Sequence, residues 1–380
     1  MATVSAGMNV LHVHSGNMFG GVERMLETLA PATAGVAPIR SAFALCFGGR
    51  VGDTLRAAGA EVHQLGPVHA RRPGEVRQAR RALQPLLESQ PWTAVFVHSA
   101  WSQAIFGPTI LNGGATLVRW VHAPGPGPAW LEFWASRSRP HLALCNSNYT
   151  RLAAQARLGD IPVAVCYPPA PSPAADEKAR VDVRSELGTP PGRVVIVIAA
   201  RMEPWKGHEL LLESLSMLPR TGWEVWVAGG AQQAAESRYY EALMARARAA
   251  GFSQQVRFLG ERPDVGRLLQ AADIYCQPNL SAEPFGLAFV EALAAGLPVV
   301  TTRLGAAPEI VDDRCGVLVD AGSADGVATA LRGLIEHEAA RHAMGAAARL
   351  RARTFCDLSQ SLPRLAAVLS RAAQPTPVLT

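Results

Sequence analysis

The sequence lacks most of what marks a chain for export, for a membrane or for nucleic acid. Only six of its 380 residues are cysteine. Cys46, Cys145, Cys166, Cys276, Cys315 and Cys356 are widely scattered, and no C-x-x-C pair occurs. Such spacing argues for buried free thiols rather than disulfides or metal ligands. No apolar run approaches the roughly 20 residues that a membrane-spanning helix needs; Val194–Ala200 is among the longest. Met1–Val13 has neither a basic leader region nor an apolar run of leader length. A cytoplasmic location is therefore expected. Net charge is only +5. That suits anionic ligands, or peripheral contact with the anionic inner face of a membrane, and is too weak to indicate nucleic acid. No nucleic-acid motif is found, and no nucleic-acid partner is expected.

What is present is a large apolar fraction, 49%. That excludes a mainly disordered chain, and the length suggests two domains of roughly 100–200 residues each. In the first half, short β-rich runs alternate with amphipathic stretches. Candidate strands are Asn9–His14, Ala42–Phe47, Ala94–His98, Thr116–Val121, Leu142–Cys145 and Val163–Cys166. Val22, Met25, Leu26 and Leu29 share one helical face. The stretch from Pro168 to Lys178, rich in Pro, Ala and Ser, reads as a linker and part of a hinge. The alternation then restarts, with candidate strands Val194–Ala200, Glu224–Ala228, Val256–Leu259, Ile274–Gln277, Pro298–Thr301 and Gly316–Val319. Leu211, Leu212, Leu215 and Leu218 give a helical pattern between the first two. Apolar strands alternating with helices predict parallel sheets covered on both faces. The expected organisation is a first domain over 1–170, a linker over 171–185, a second domain over 186–355, and a C-terminal helix and tail over 356–380 that packs back toward the first domain.

Open parallel sheets bind ligands beyond the carboxyl ends of their strands, so the residues just after strands matter most. The strand ending at Ala200 runs into Arg201-Met-Glu-Pro-Trp-Lys206-Gly207. A forked guanidinium and a point-charge ammonium emerging together suit a diphosphate, the alternative being a basic solvated loop. After Ile274–Gln277 comes Pro278-Asn-Leu-Ser-Ala-Glu283-Pro-Phe-Gly-Leu-Ala-Phe-Val-Glu291. This reads as a helix with Pro284 in its first turn. Amides near Phe285, Gly286 and Leu287 would face an anion. Glu283 sits at that entrance, and Glu291, about two turns inside, could accept from a ribose diol. The alternative is a dipole-matching Glu plus an exposed helical Glu.

This segment resembles the family 4 retaining glycosyltransferases of the GT-B fold. The residues that carry the resemblance are Glu283-Pro-Phe-Gly-Leu-Ala-Phe-Val-Glu291, Arg201 with Lys206-Gly207, Val256-Arg-Phe-Leu-Gly260, Ala272-Asp273, Ala295-Gly-Leu-Pro-Val-Val300 and Gly305-Ala-Ala-Pro-Glu-Ile310. They cover residues 190–320 in family order. Two departures stand out: Ala306 where a second glycine is usual, and Gly229-Gly230 with no acidic residue between them. The alanine is expected to matter little, the alternative being a shifted loop near the sugar.

The first domain matches more loosely. Gly20-Gly21 follows the first strand, where the family has a similar pair; glycine lets backbone approach a phosphate or acceptor. His122 ends the fifth candidate strand, where the family commonly has a histidine beside the donor sugar. His98 and Asn146-Ser147 are further candidates at strand ends, and a capped core histidine is the alternative for each histidine. The stripe Arg71, Arg72, Arg77, Arg80 and Arg81 reads either as a lipid-facing basic helix or as a solvated face.

The resemblance implies two Rossmann-like domains facing across a cleft. It also implies transfer of a sugar, with retention, from a nucleoside diphosphate sugar to a hydroxyl on a glycan, a lipid-linked or a small-molecule acceptor. UDP-sugar or GDP-sugar would be the donor substrate, with no separate cofactor. The setting would be cell-surface glycan, exopolysaccharide or glycoconjugate biosynthesis. His122, Arg201, Lys206 and Glu283 would serve the chemistry. No Asp-x-Asp triplet occurs, so no metal is expected. The rival reading is a non-catalytic GT-B partner protein that binds sugar nucleotide or glycan.

Overall fold

The computed structural model describes residues 7–18, 20–30, 39–171 and 176–372. The chain divides into two compact units. One runs to Pro171 and resumes at Asp357; the other lies between and ends at Cys356. Residues 172–175, near the start of the expected linker, lie outside the described residues, as do the first six and last eight residues of the chain.

The first unit holds a seven-stranded sheet. Its strands are β1 (Met8–His14), β2 (Ile39–Leu45), β3 (Glu61–Gln64), β4 (Ala94–Val97), β5 (Leu117–Val121), β6 (Leu142–Cys145) and β7 (Val163–Val165), in the order β3-β2-β1-β4-β5-β6-β7. Every pairing is parallel. Alternate strand residues feed opposite faces. Val10, Phe43, Phe96 and Trp120 pack with Met25, Leu26 and Leu29 of helix Gly21–Leu29. Leu362, Leu365 and Leu369 of helix Leu358–Ala372 join the same core. On the other face, Leu11, Val13, Val95 and Val97 meet Leu83, Ile105 and Phe106. Strand β3 is an addition to the expected strands. Glu61-Val-His-Gln is short and polar, and it lies at the sheet edge, where pairing comes from its neighbour β2 rather than from burial.

The second unit holds six strands: β8 (Val194–Ala199), β9 (Trp223–Ala228), β10 (Val256–Gly260), β11 (Ile274–Gln277), β12 (Val299–Thr302) and β13 (Gly316–Val319), ordered β10-β9-β8-β11-β12-β13. These are parallel too. Its core gathers Ile196, Ile198, Leu211, Leu212, Leu215, Trp223 and Val225. In each sheet the strand order reverses once, between β1 and β4 and between β8 and β11. A crevice forms at such a reversal because the flanking connections leave in opposite directions. All six cysteines are free, and only Cys356 is not fully buried. Burial pushes the thiols of Cys46 and Cys166 up to about 12, so they stay protonated. No helix among the described residues is long and apolar enough to cross a membrane.

Candidate active site

At the reversal in the second sheet, Tyr275 of β11 pairs with Val197 of β8. The segments that follow these strands therefore leave the sheet side by side. Their contact depends on one glycine. Gly207 has φ 79°, and a Cβ there would lie 1.9 Å from the carbonyl oxygen of Pro278. The Leu280 N–H donates to the Trp205 carbonyl at 2.7 Å and fixes the two loops together. That contact brings Lys206 Nζ to 2.8 Å from Glu283 Oε2 and 3.8 Å from the centre of the Trp205 ring.

Glu283 is held from below as well. Asn279 Nδ2 donates to the same Oε2 at 3.1 Å, and Gln277 Nε2 donates to Asn279 Oδ1 at 2.9 Å. The Tyr275 hydroxyl donates to Gln277 Oε1 at 2.6 Å. Tyr275, Gln277 and Asn279 are alternate residues, so the period of the strand puts all three on one side. A polar chain thus climbs out of the core and ends on Glu283, which is 9% exposed. This chain was not among the expected site residues, although Tyr-x-Gln-x-Asn in and just after an otherwise apolar strand is a visible signal. The backbone of Glu283 is also anchored: Ala306 N–H donates to its carbonyl at 2.8 Å, and Glu283 bridges to Gly305. A Cβ on Gly305 (φ 61°) would come within 2.3 Å of that carbonyl. Ala306, by contrast, is fully buried with φ −85°, a conformation open to any residue. The alanine is accommodated there without backbone strain, as the leading expectation had it.

Arg201 stands where the sequence reading put it, at the end of β8, but its guanidinium is engaged. Glu236 binds Nη2, and Glu203 lies 3.5 Å away. The second oxygen of Glu236 accepts from the Gln232 N–H at 2.6 Å. Burial raises the Glu236 carboxyl, and the Gln232 N–H and Arg201 outweigh it and hold it below the usual range. Glu236 thus orients Arg201. No sequence signal marked it, since it is one glutamate in a polar helix. Gly229 (φ 156°) is another required glycine: a Cβ would lie 1.9 Å from the Ala200 carbonyl.

The expected helix start at Pro284 is corrected. Gly286 has φ 97°, which interrupts the helix, so the helix begins at Leu287 and runs to Ala295. Pro284 and Phe285 precede it. The Phe285 side chain is buried edge-on to Phe355 at 6.1 Å. Glu291 is the fifth helical residue, about one turn in rather than two. The helix start leaves amides without intrahelical acceptors, and those include Leu287.

In the first unit, Gly20 has an extended backbone, and an added Cβ would meet only the Glu23 carboxylate at 3.5 Å; at Gly21 it would meet nothing within 4 Å. Neither packing nor a left-handed φ requires glycine at these two positions. His122 lies at the end of β5, with Nε2 3.0 Å from His98 Nδ1. Burial pushes its pKa down to about 3, so the ring is neutral near pH 7. Asn146 and Ser147 are occupied structurally. Ser147 caps helix Asn148–Leu158, and Asn146 Nδ2 donates to the His122 carbonyl at 3.3 Å. The basic stripe is also divided. Arg80 turns inward to the carbonyls of Ile105 and Ala104 at 2.6 and 3.2 Å, and Arg72 pairs with Glu75 at 2.8 Å. Among the described residues, no three His, Cys, Asp or Glu side chains converge as a metal site.

Residues 180–351 match the Glycosyl transferases group 1 family. Over 183 residues the chain is 38% identical to the D-inositol 3-phosphate glycosyltransferase of Corynebacterium kroppenstedtii, which covers 46% of this chain and 40% of that protein. Over 153 residues it is 35% identical to the phosphatidyl-myo-inositol mannosyltransferase of Mycobacterium leprae, covering 40% and 39%. The chain spans about two fifths of the length of these relatives. The crystal structure of Anabaena HepE in complex with UDP and glucose superposes with a TM-score of 0.83 at 22% identity, over 96% of this chain and 100% of that one. The fold is GT-B, built of two Rossmann-like domains with parallel sheets.

Proposed function

We propose that the chain, whose second domain matches the glycosyl transferases group 1 family, transfers a sugar from a nucleoside diphosphate sugar to a hydroxyl acceptor with retention. The observation that carries this reading is the Lys206–Glu283–Asn279 cluster at the reversal between β8 and β11. Cleavage of the donor leaves negative charge on a diphosphate. Lys206, Arg201 and the amides around Gly286 and Leu287 would stabilise that charge as it grows, and differential stabilisation of this kind accelerates a reaction. Glu291 would hold the ribose diol. The Glu283 carboxylate already accepts from an ammonium and an amide, which makes it a poor nucleophile. A front-face displacement, with the departing phosphate taking the acceptor proton, therefore fits better than a covalent intermediate. UDP in the Anabaena protein favours a UDP-sugar, with GDP-sugar as the alternative.

The acceptor would occupy the first domain. A cavity of about 710 Å³ there is lined by Ser15, Asn17, Ser99, Trp101, Arg71 and Trp130. Beside it, helix Ala129–Ser136 exposes Trp130, Phe133 and Trp134. Arg137 lies 4.6 Å over Phe133 and 4.8 Å over Trp134, and Arg71 lies 5.3 Å over Trp130. Aromatic rings interleaved with guanidinium groups suit an anionic lipid surface. A lipid-linked acceptor, peripheral contact at the inner face of a membrane, and a role in cell-surface glycan, exopolysaccharide or glycoconjugate biosynthesis follow from this reading.

Thermal-shift screening of UDP-, GDP- and ADP-sugars tests the donor site. A stabilising donor, followed by acceptor-dependent release of nucleoside diphosphate, is expected. Failure of every nucleotide sugar to bind would overturn the reading. Salt-sensitive pelleting with anionic vesicles, reduced in Phe133→Ser/Trp134→Ser, tests the membrane contact. Equal pelleting with neutral vesicles would reduce the face to ordinary surface.

A further inference from the structure

The first domain contains a line of three imidazoles, of which only His122 was expected to serve the chemistry. His12 lies in β1, stacked between Phe43 (5.3 Å) and Phe96 (4.9 Å). His12 pairs with Phe96 across the sheet, and His98 follows Phe96 by two residues on the same side. His122 ends the next strand, and Trp120 stacks on both His98 and His122 at 5.9 Å. The rings connect nitrogen to nitrogen. His12 Nδ1 is 3.0 Å from His98 Nε2, and His98 Nδ1 is 3.0 Å from His122 Nε2. His14 stands edge-on to His98 at 5.7 Å, with its own Nε2 held by Glu23 at 2.7 Å.

A neutral imidazole has one donor and one acceptor nitrogen. Both contacts must therefore run in the same direction along the line, and only two arrangements exist. They differ at the inner end. His12 Nε2 is buried with no partner among the described residues. In one arrangement it carries a proton and is an orphaned buried N–H; in the other it is an orphaned lone pair. Among backbone groups a buried N–H without an acceptor is rarer than an under-satisfied carbonyl, and the same order is taken for the ring nitrogen. The second arrangement is favoured: His12 Nδ1–H donates to His98, and His98 Nδ1–H donates to His122 Nε2.

We infer that His12 and His98 are positioning residues that fix the tautomer of His122, so that it presents Nδ1–H as a hydrogen-bond donor and cannot act as a base. Protonation does not disturb the line near neutrality, because burial pushes His12 and His122 down to about 3 and His98 well below its usual range. A fixed donor can hold an oxygen of the donor sugar without taking a proton from the acceptor. That consequence rests on the proposed transfer reaction; the tautomer itself does not.

Two-bond 1H–15N correlation spectra of the 15N-histidine-labelled full chain at pH 7, without ligand, test the inference. Each resonance is assigned by single substitution. The expected result is a protonated Nδ1 in His12, His98 and His122. A proton on His122 Nε2 would overturn it. The wild-type spectrum decides the matter without any folding-sensitive variant. Neither result depends on whether a nucleotide sugar binds.

Discussion

Removing the Lys206 ammonium should damage rate and stability by separable routes. In Lys206→Ala the Glu283 carboxylate, 9% exposed, keeps Asn279 as donor and loses its charged partner. A buried acceptor deprived of a charge-assisted hydrogen bond costs about 1–3 kcal/mol. The full penalty of a broken buried ion pair does not apply, because the Lys206 and Glu283 side chains remain 16% and 11% exposed and Asn279 stays in place. The catalytic loss should be larger, roughly 100-fold or more in kcat, if Lys206 meets charge that grows in the transition state. The double variant Lys206→Ala/Glu283→Gln separates the two. A neutral amide no longer needs the ammonium, so most of the lost stability should return while the rate stays low. Urea unfolding reports the first quantity, and nucleoside diphosphate release at saturating donor reports the second. Near-wild-type kcat in Lys206→Ala, or recovery of rate in the double variant, would refute the role given to this lysine.

Arg201→Ala should also lower kcat, with an effect less than additive to that of Lys206→Ala because both cations address one diphosphate, whereas Glu291→Ala should chiefly raise the donor KM; steady-state kinetics of single and double variants check both. Activity should survive EDTA, since protein cations meet the leaving-group charge; complete loss restored by magnesium or manganese would overturn that mechanism. Asp273 gives a pH test. Burial raises its carboxyl, but the Val195 N–H at 2.7 Å together with Arg180 and Arg184 outweighs burial and holds it below the usual range. A depressed pKa in the folded state contributes stability above the unfolded value of about 3.9, and the contribution is lost as pH falls through the folded value. Asp273→Asn should therefore be less stable than wild type at pH 7 by about 1–3 kcal/mol, and the gap should close in melts below about pH 4.

Much of the architecture was legible because it rests on local pattern. Apolar runs bounded by turn residues located twelve of the thirteen strands among the described residues, and the remaining one, Glu61–Gln64, has no apolar pattern of its own. The chemistry-bearing residues were legible where a motif follows a strand, as with Arg201, Lys206 and Glu283. Their supports were less so. Glu236 reaches Arg201 from a helix 35 positions away in sequence, and nothing in that helix's pattern distinguishes it. The helix was expected at Pro284 because proline is a good first-turn residue, whereas the left-handed Gly286, where a Cβ would lie 2.4 Å from the Phe289 ring, delays the start to Leu287.

Sequence by itself determined the two parallel sheets, because hydrophobic period and turn chemistry act over a few residues. It also determined which side chains emerge at the carboxyl ends of strands. Only the tertiary structure decided which of them meet. Strand order puts β8 beside β11, Gly207 lets Lys206 reach Glu283, and the pairing of β1, β4 and β5 joins His12, His98 and His122 into one line. Those contacts depend on distances of about 3 Å between residues tens of positions apart, and hydrogen bonds of that length arise only once the sheet has fixed its register.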